Sequence, residues 1–193
     1  MISAVLNDLA NAAAEGRLVS VVRREPLLKL SGFPLTLGSR LLLLREVNAE
    51  LLLPDGFAVV RLQDVAEVRC TEWEQAVQRA LAGESRLPDP ADTPAVRLDG
   101  WAGMLADLHA GGEPVSLECE DDEDAYFLGI ITAVGAESVD LLHVSADGRY
   151  DDEPWTVDHD GITRVVFRSR YVQVFSRLAG DPDPHDPDDE RKP

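Results

Sequence analysis

The most concentrated chemical feature of the chain is an acidic run, in which six of the seven residues from 118 to 124 are Asp or Glu. Carboxylate oxygens at this density are ligands that a divalent cation accepts. The run lacks the D-x-D-x-D-G spacing that arranges oxygens around calcium, so we interpret it as a solvated acidic loop. A cation site, a docking loop for a protein partner and mimicry of a nucleic-acid backbone stay open as alternatives. The candidate interaction residues are Glu120, Asp121, Asp122, Glu123 and Asp124.

A second group of titratable residues, Asp151-Asp152-Glu153 with His159 and Asp160, has the types needed for acid–base catalysis or metal ligation. Its position in a predicted turn beside a strand favours surface solvation instead. We find no Gly-x-Ser-x-Gly elbow, no Gly-rich phosphate loop and no H-E-x-x-H motif. The sequence therefore predicts no enzyme, no catalytic residue, no cofactor and no metal.

The two cysteines, Cys70 and Cys119, form neither a disulfide framework nor a zinc spacing, and we predict that both are small buried apolar residues. Stacking of nucleic-acid bases on tryptophan is a further chemistry to consider. Trp73 and Trp101 lie on apolar stripes of predicted helices, so we expect both in the core.

The charge of the chain opposes nucleic-acid binding. The formal net charge is −18, and the half from residue 96 onwards carries 23 acidic and 8 basic residues. A field of this sign repels phosphates unless a basic patch overcomes it. The best candidate patch is Arg164, Arg168 and Arg170, with Arg177 nearby, although solvated strand or helix faces explain these arginines more simply.

Apolar periodicity predicts a helix from Ile2 that Gly16 ends, five short strands, and a helix that begins with a Thr71–Glu74 capping box. Pro54-Asp55-Gly56 is predicted as the turn before the fourth strand. After a Pro-rich linker the same order recurs, with a helix at Trp101–Leu108 and five more strands. The stretch Ser169–Leu178 has helical spacing but equally suits an extended strand.

The recurrence has a nearly constant offset. Asp64–Val68 aligns with Gly161–Val165, and Leu81–Gly83 aligns with Leu178–Gly180, each 97 residues later. We interpret this as an internal duplication. The predicted organisation is a first unit at 1–83, a linker at 84–97, a second unit at 98–180 and a disordered acidic tail at 181–193.

Each unit resembles the Sm-like (Sm/Hfq-type) fold in its element order and in Phe127-Leu128-Gly129-Ile130-Ile131, which is similar to the start of that family's first motif. The resemblance implies a mainly β, α+β protein of two tandem Sm-like (SH3-like) five-stranded barrels, each preceded by an N-terminal helix. The positions of the family's RNA-contacting Asp and Asn are Gly135 and Val139, and Leu35 replaces the motif glycine in the first half. Leu62-Gln63-Asp64 and Asp158-His159-Asp160 stand where the family has its Arg-Gly pair.

These observations predict a non-enzymatic protein-interaction or assembly module. In the family that it resembles, the fourth and fifth strands of neighbouring subunits pair, so we expect self-association, for example a dimer, or a protein partner. The alternatives are an RNA-binding Sm-like protein and a small-molecule or metal-binding regulator. No apolar run approaches the roughly 18 residues that cross a bilayer, and no signal peptide is recognisable. We expect a cytoplasmic protein without membrane contact.

Overall fold

The computed structural model describes residues 2–24, 29–48, 50–119 and 126–180. The candidate residues Glu120–Asp124 and the tail at 181–193 lie outside this part of the chain. The described residues form a mainly β, α+β protein. Its helices are α1 (Ile2–Ala14), α2 (Glu72–Gly83), α3 (Trp101–Ala110) and α4 (Arg170–Ala179). Its strands are β1 (Val19–Arg23), β2 (Lys29–Leu37), β3 (Leu41–Asn48), β4 (Leu53–Arg61), β5 (Val65–Arg69), β6 (Val115–Cys119), β7 (Tyr126–Val134), β8 (Ser138–His143), β9 (Trp155–Asp158) and β10 (Ile162–Phe167).

The strands form one continuous antiparallel sheet in the order β5-β1-β2-β3-β4-β10-β6-β7-β8-β9. Within it, β1–β5 and β6–β10 follow the same internal order, because β5 and β10 each pair with the first strand of their own half. The two halves join where β4 pairs with β10. The outermost strands of the described sheet are β5 and β9.

The pairing registers also repeat. Gly32 pairs with Glu46 between β2 and β3, and Gly129 pairs with His143 between β7 and β8, so each later residue is 97 positions on. The same 97-residue offset relates the next pair of ladders. Leu41 pairs with Arg61 between β3 and β4, and Ser138 pairs with Asp158 between β8 and β9. A register shift interrupts the β2–β3 and β7–β8 ladders at equivalent places.

Two glycines allow the close approach of neighbouring strands. A Cβ at Gly129 would lie 1.9 Å from the carbonyl oxygen of Leu142, and a Cβ at Gly32 would lie 2.7 Å from that of Arg45. The register therefore corrects the sequence comparison: Gly32, and not Leu35, occupies the position equivalent to Gly129. Sequence alignment missed it because the first half carries no aromatic-x-Gly-x-aliphatic phrase around Gly32.

The predicted turn at Pro54-Asp55-Gly56 is wrong, because all three residues belong to β4. The chain reverses earlier, where the Asn48 side chain accepts hydrogen bonds from the amides of Glu50 and Leu51. Gly56 instead meets a steric demand. Its φ is 73°, and a Cβ there would lie 2.4 Å from the amide nitrogen of Ser169.

The helices cover the sheet with separate apolar clusters. The largest cluster joins α3 to both halves, since Leu41, Leu43, Phe57 and Val59 of β3 and β4 pack with the core of β6–β10. A second cluster packs α1 on β1–β5. Smaller clusters place α2 against Val47 and α4 against Val144.

The capping box is confirmed, and α4 resolves the ambiguity of the last stretch as a helix that Ser169 caps. Trp101 is buried as expected. The prediction for Trp73 is wrong: its side chain is 42% exposed, and the Lys29 ammonium lies 4.3 Å from its ring centroid. The two cysteines are only half-buried. In the described residues, no helix has the length and apolar character needed to span a membrane.

Candidate functional site

The junction between the halves contains a compact group of charges. Arg164 of β10 places Nη2 2.6 Å from both carboxylate oxygens of Glu46, and its Nη1 donates to Glu118 of β6. Burial favours the neutral form of Arg164, but the two carboxylates outweigh burial and raise its pKa. Arg164 therefore joins β3 of one half to β6 of the other.

Arg23 of β1 lies beside this group and is fully buried. Its Nη1 is 3.7 Å from Glu118, and among the described residues its guanidinium has no hydrogen-bond partner. Burial lowers the pKa of Arg23, against the attraction of Glu118. Glu118 thus balances two cations, the buried Arg23 of the first half and Arg164 of the second.

The other two arginines of the predicted patch have separate roles. Arg168 donates through Nε to Glu113 at 2.7 Å, and this ion pair raises its pKa. Arg170 has an exposed side chain, and its backbone amide donates to Asp55 Oδ1 at 2.6 Å. The predicted basic patch is therefore not one cationic surface, because Arg164 points inward and Arg168 is neutralised locally.

A small cavity opens beside Arg164, and we call it the acidic cleft. Its volume is about 200 Å³. The lining residues are Glu46, Asn48, Asp55, Ser116, Glu118, Tyr126, Arg164, Val166, Ser169 and Tyr171. It has three carboxylates, one cation and two tyrosine rings among these residues. Burial raises the pKa of Glu46 even though Arg164 acts in the opposite direction.

An aromatic row forms the rim of the acidic cleft. The rings of Tyr126 and Tyr171 meet edge to face at 5.7 Å, and Tyr171 approaches Phe175 at 4.7 Å. Tyr126 is 40% exposed and Tyr171 is 51% exposed. Tyr126 joins the cleft from β7, and Tyr171 joins it from α4.

A larger cleft of about 1000 Å³ lies between elements of both halves. It is lined by the two 3-10 turns that follow β4 and β9, by the β2–β3 and β7–β8 turns, and by the start of α3. Trp101 Nε1 and His159 Nε2 are buried in its wall and have no hydrogen-bond partner among the described residues. These turns are far apart in the sequence, and the fold brings them together.

The larger cleft does not have the charge of a phosphate site. Glu137, Asp158 and Asp160 line it against Arg40 and Arg61. Arg61 is already bound to Asp64 at 2.5 Å and to the Asp160 carbonyl oxygen at 2.9 Å. The lining acids therefore oppose an RNA backbone in this cleft.

The second titratable group of the sequence is divided in the structure. Asp151 accepts a hydrogen bond from Trp155 Nε1 at 2.7 Å, and His159 lines the larger cleft. Asp152 and Glu153 are exposed. Across the described ranges, no three His, Cys, Asp or Glu side chains are grouped so as to hold a metal ion.

No protein-family model, curated protein or solved structure matches the chain. The Sm-like resemblance therefore stays a prediction.

Sequence reasoning missed the members of the acidic cleft other than Glu118 and Arg164. Glu46 and Asp55 lie on the paired strands β3 and β4, and the β4–β10 junction brings them to Arg164, Glu118 and Tyr171 of the other half. The available signal was the 97-residue offset. At this offset Arg164 of the second half is equivalent to Glu67 of the first, and Glu46 of the first half is equivalent to His143 of the second. The offset therefore marks both positions as places where the halves differ in charge.

Proposed function

We propose that the protein is a non-enzymatic assembly module of two tandem Sm-like barrels that associates with further copies of itself through β5 and β9. The repeated strand order and the 97-residue offset shared by the β2–β3 and β3–β4 registers support an internal duplication. The close approach of the neighbouring strand at Gly32 and Gly129, where a Cβ would clash, supports a barrel-like bend in each half.

The observation that carries the proposal is the β4–β10 pairing. There the fourth strand of one half pairs with the fifth strand of the other. One fourth-strand edge and one fifth-strand edge are therefore paired within the chain. The remaining fifth strand, β5, and the remaining fourth strand, β9, terminate the described sheet. Unpaired strand edges are templates for pairing with another chain.

The internal junction also predicts the register of the external one. Val59 pairs with Val165 across β4–β10, and the residues at the 97-residue offset are Thr156 of β9 and Val68 of β5. The His159 amide donates to the Glu137 carbonyl at 2.8 Å, so the alternation of the antiparallel ladder turns the Thr156 N–H away from β8. Thr156 therefore offers a main-chain donor to a second copy. The contact is head to tail, and its smallest product is a dimer with one β9–β5 seam.

The test is the molar mass of the full chain by size-exclusion chromatography with light scattering, from low to tens of micromolar. We expect the mass to rise above the 21.1 kDa of one chain as the concentration increases. The variant Thr156→Pro deletes the outward N–H on an edge strand that otherwise tolerates proline, and we expect at least about tenfold weaker association.

The matched control is Thr156→Val, which keeps the N–H and removes only the hydroxyl bond to Asp140. We expect it to associate like the wild-type chain. A wild-type chain of one-copy mass at tens of micromolar contradicts the proposal, as does equal association of the proline variant.

A further inference from the structure

The acidic cleft has a surplus of negative charge on side chains that are half-buried. Glu46, Asp55 and Glu118 face one lining cation, Arg164, and the buried Arg23 lies 3.7 Å from Glu118, so the group keeps one more negative than positive charge. Arg164 satisfies Glu46 and Glu118, while Asp55 accepts a main-chain N–H from Arg170. The raised pKa of Glu46 has the same physical origin, because burial of its carboxylate is incompletely compensated.

The rim adds groups that attract cations by a second mechanism. The faces of tyrosine rings carry negative electrostatic potential, and a guanidinium or ammonium group over such a face is stabilised. Tyr126 and Tyr171 are adjacent, large and exposed. Exposed aromatic side chains that lie together are typical of interaction surfaces and not of inert ones.

The size and composition of the cleft restrict its occupant. About 200 Å³ is below the usual range of a small-molecule site but suits one long side chain. The described residues contain no group that could hold a metal ion. The acidic surplus excludes an anion, and the carboxylates exclude an apolar anchor without a charged end.

We propose that the acidic cleft and its aromatic rim bind a basic peptide segment of a partner protein, with one arginine or lysine side chain inserted between the carboxylates and the tyrosine rings. This surface is separate from the β5 and β9 edges.

The experiment is a fluorescence-anisotropy titration of a fluorescein-labelled tetra-arginine amide with the full chain, at 50 and 150 mM salt. Tyr171→Ala removes a rim ring, and Asp55→Asn removes a carboxylate charge while keeping an acceptor for the Arg170 amide. We expect at least fivefold weaker binding for the first and threefold for the second.

Two control variants make comparable changes elsewhere, a truncation to alanine and the removal of one carboxylate charge. Leu178→Ala removes an exposed apolar side chain from the same helix, and Glu84→Gln removes one exposed negative charge. We expect both to bind the peptide within 1.5-fold of the wild-type chain, and thermal melts establish that all four variants fold.

Two results overturn the proposal: no binding of the tetra-arginine probe at 100 micromolar protein, or equal effects of Asp55→Asn and Glu84→Gln with none of Tyr171→Ala. The second result would mean that the net charge of the chain alone attracts the tetra-arginine probe. The Thr156→Pro variant separates the two proposals, since it should self-associate at least about tenfold more weakly and bind the peptide like the wild-type chain.

Discussion

Glu74 fixes α2 to the sheet, and its replacement by glutamine gives a stability prediction with a defined pH window. The carboxylate is 1% exposed. It accepts hydrogen bonds from Ser20 Oγ at 2.5 Å and from the Thr71 amide at 2.7 Å, and Lys29 Nζ lies at 3.4 Å. Burial alone raises its pKa, but the hydrogen bonds from Ser20 and Thr71 outweigh burial and lower the pKa from 4.5 to about 2.

This pKa shift sets the size of the effect. A depressed pKa in the folded state means that the charged carboxylate stabilises the fold above the unfolded pKa. At about 1.36 kcal/mol per unit, the shift corresponds to about 3 kcal/mol at pH 7. This contribution is lost as the pH falls from about 4.5 through about 2.

Urea unfolding of the wild-type chain and Glu74→Gln, followed by circular dichroism between pH 7 and pH 2, measures this difference. We expect glutamine to lower the free energy of unfolding by about 2 to 3 kcal/mol at pH 7, with convergence of the two proteins near pH 2. Glu72→Gln, an exposed change in the same helical turn, should cost less than about 0.5 kcal/mol. A difference between the wild-type chain and Glu74→Gln that is negligible at pH 7, or that persists unchanged at pH 2, refutes the reasoning.

Two further predictions concern the packing of the sheet and the junction of its halves. Gly129→Ala should destabilise the fold by about 3 kcal/mol in chemical denaturation, because its Cβ meets the Leu142 carbonyl, whereas Gly161→Ala should cost under about 1 kcal/mol because its Cβ meets nothing within 4 Å. Arg164→Met leaves the half-buried Glu46 without its cation and Glu118 with Arg23 alone, and it should cost about 3 kcal/mol by the same assay. Glutamine at both acidic positions should restore part of that loss, and no restoration would mean that Arg164 acts through packing instead of charge.

Local periodicity was sufficient to predict most elements of the fold. The apolar stripe from Ile2 and the Thr71–Glu74 capping box are encoded by residues within two turns of each other, so the sequence shows them directly. The turn at Pro54–Gly56 failed for a tertiary reason. Turn-forming residues were recruited into β4, where Gly56 accommodates the backbone of Ser169 from the other half.

The acidic cleft was beyond sequence reasoning for the same reason. Glu46 and Arg164 are separated by 118 positions, and each alone has the pattern of an ordinary solvated strand residue. Only the β4–β10 pairing makes them partners, and no local propensity encodes which strand edges meet. The choice between helix and strand for the last stretch was likewise decided by packing of Val172 against Leu128 and Val144.

The β4–β10 pairing within the chain (the internal seam) and the proposed β9–β5 pairing between copies (the external seam) differ in their side chains. This difference indicates how strong self-association should be. Phe57 stacks on Phe167 across β4–β10 at 5.3 Å, and the residues at the 97-residue offset are Pro154 and Cys70. The external seam therefore lacks this aromatic pair, which is worth about 1 kcal/mol beyond its buried area.

The ion pairs of Arg164 with Glu46 and Glu118 are also missing from the external seam, because Glu67 stands at the position equivalent to Arg164. What the two seams share is the main-chain ladder, since Thr156 and Val68 occupy the places of Val59 and Val165. An interface that depends on main-chain hydrogen bonds without aromatic or ionic anchors should dissociate on dilution, whereas the internal junction is held within one chain. We therefore expect reversible, concentration-dependent association in the micromolar range, and a nanomolar assembly would show that other contacts join the copies.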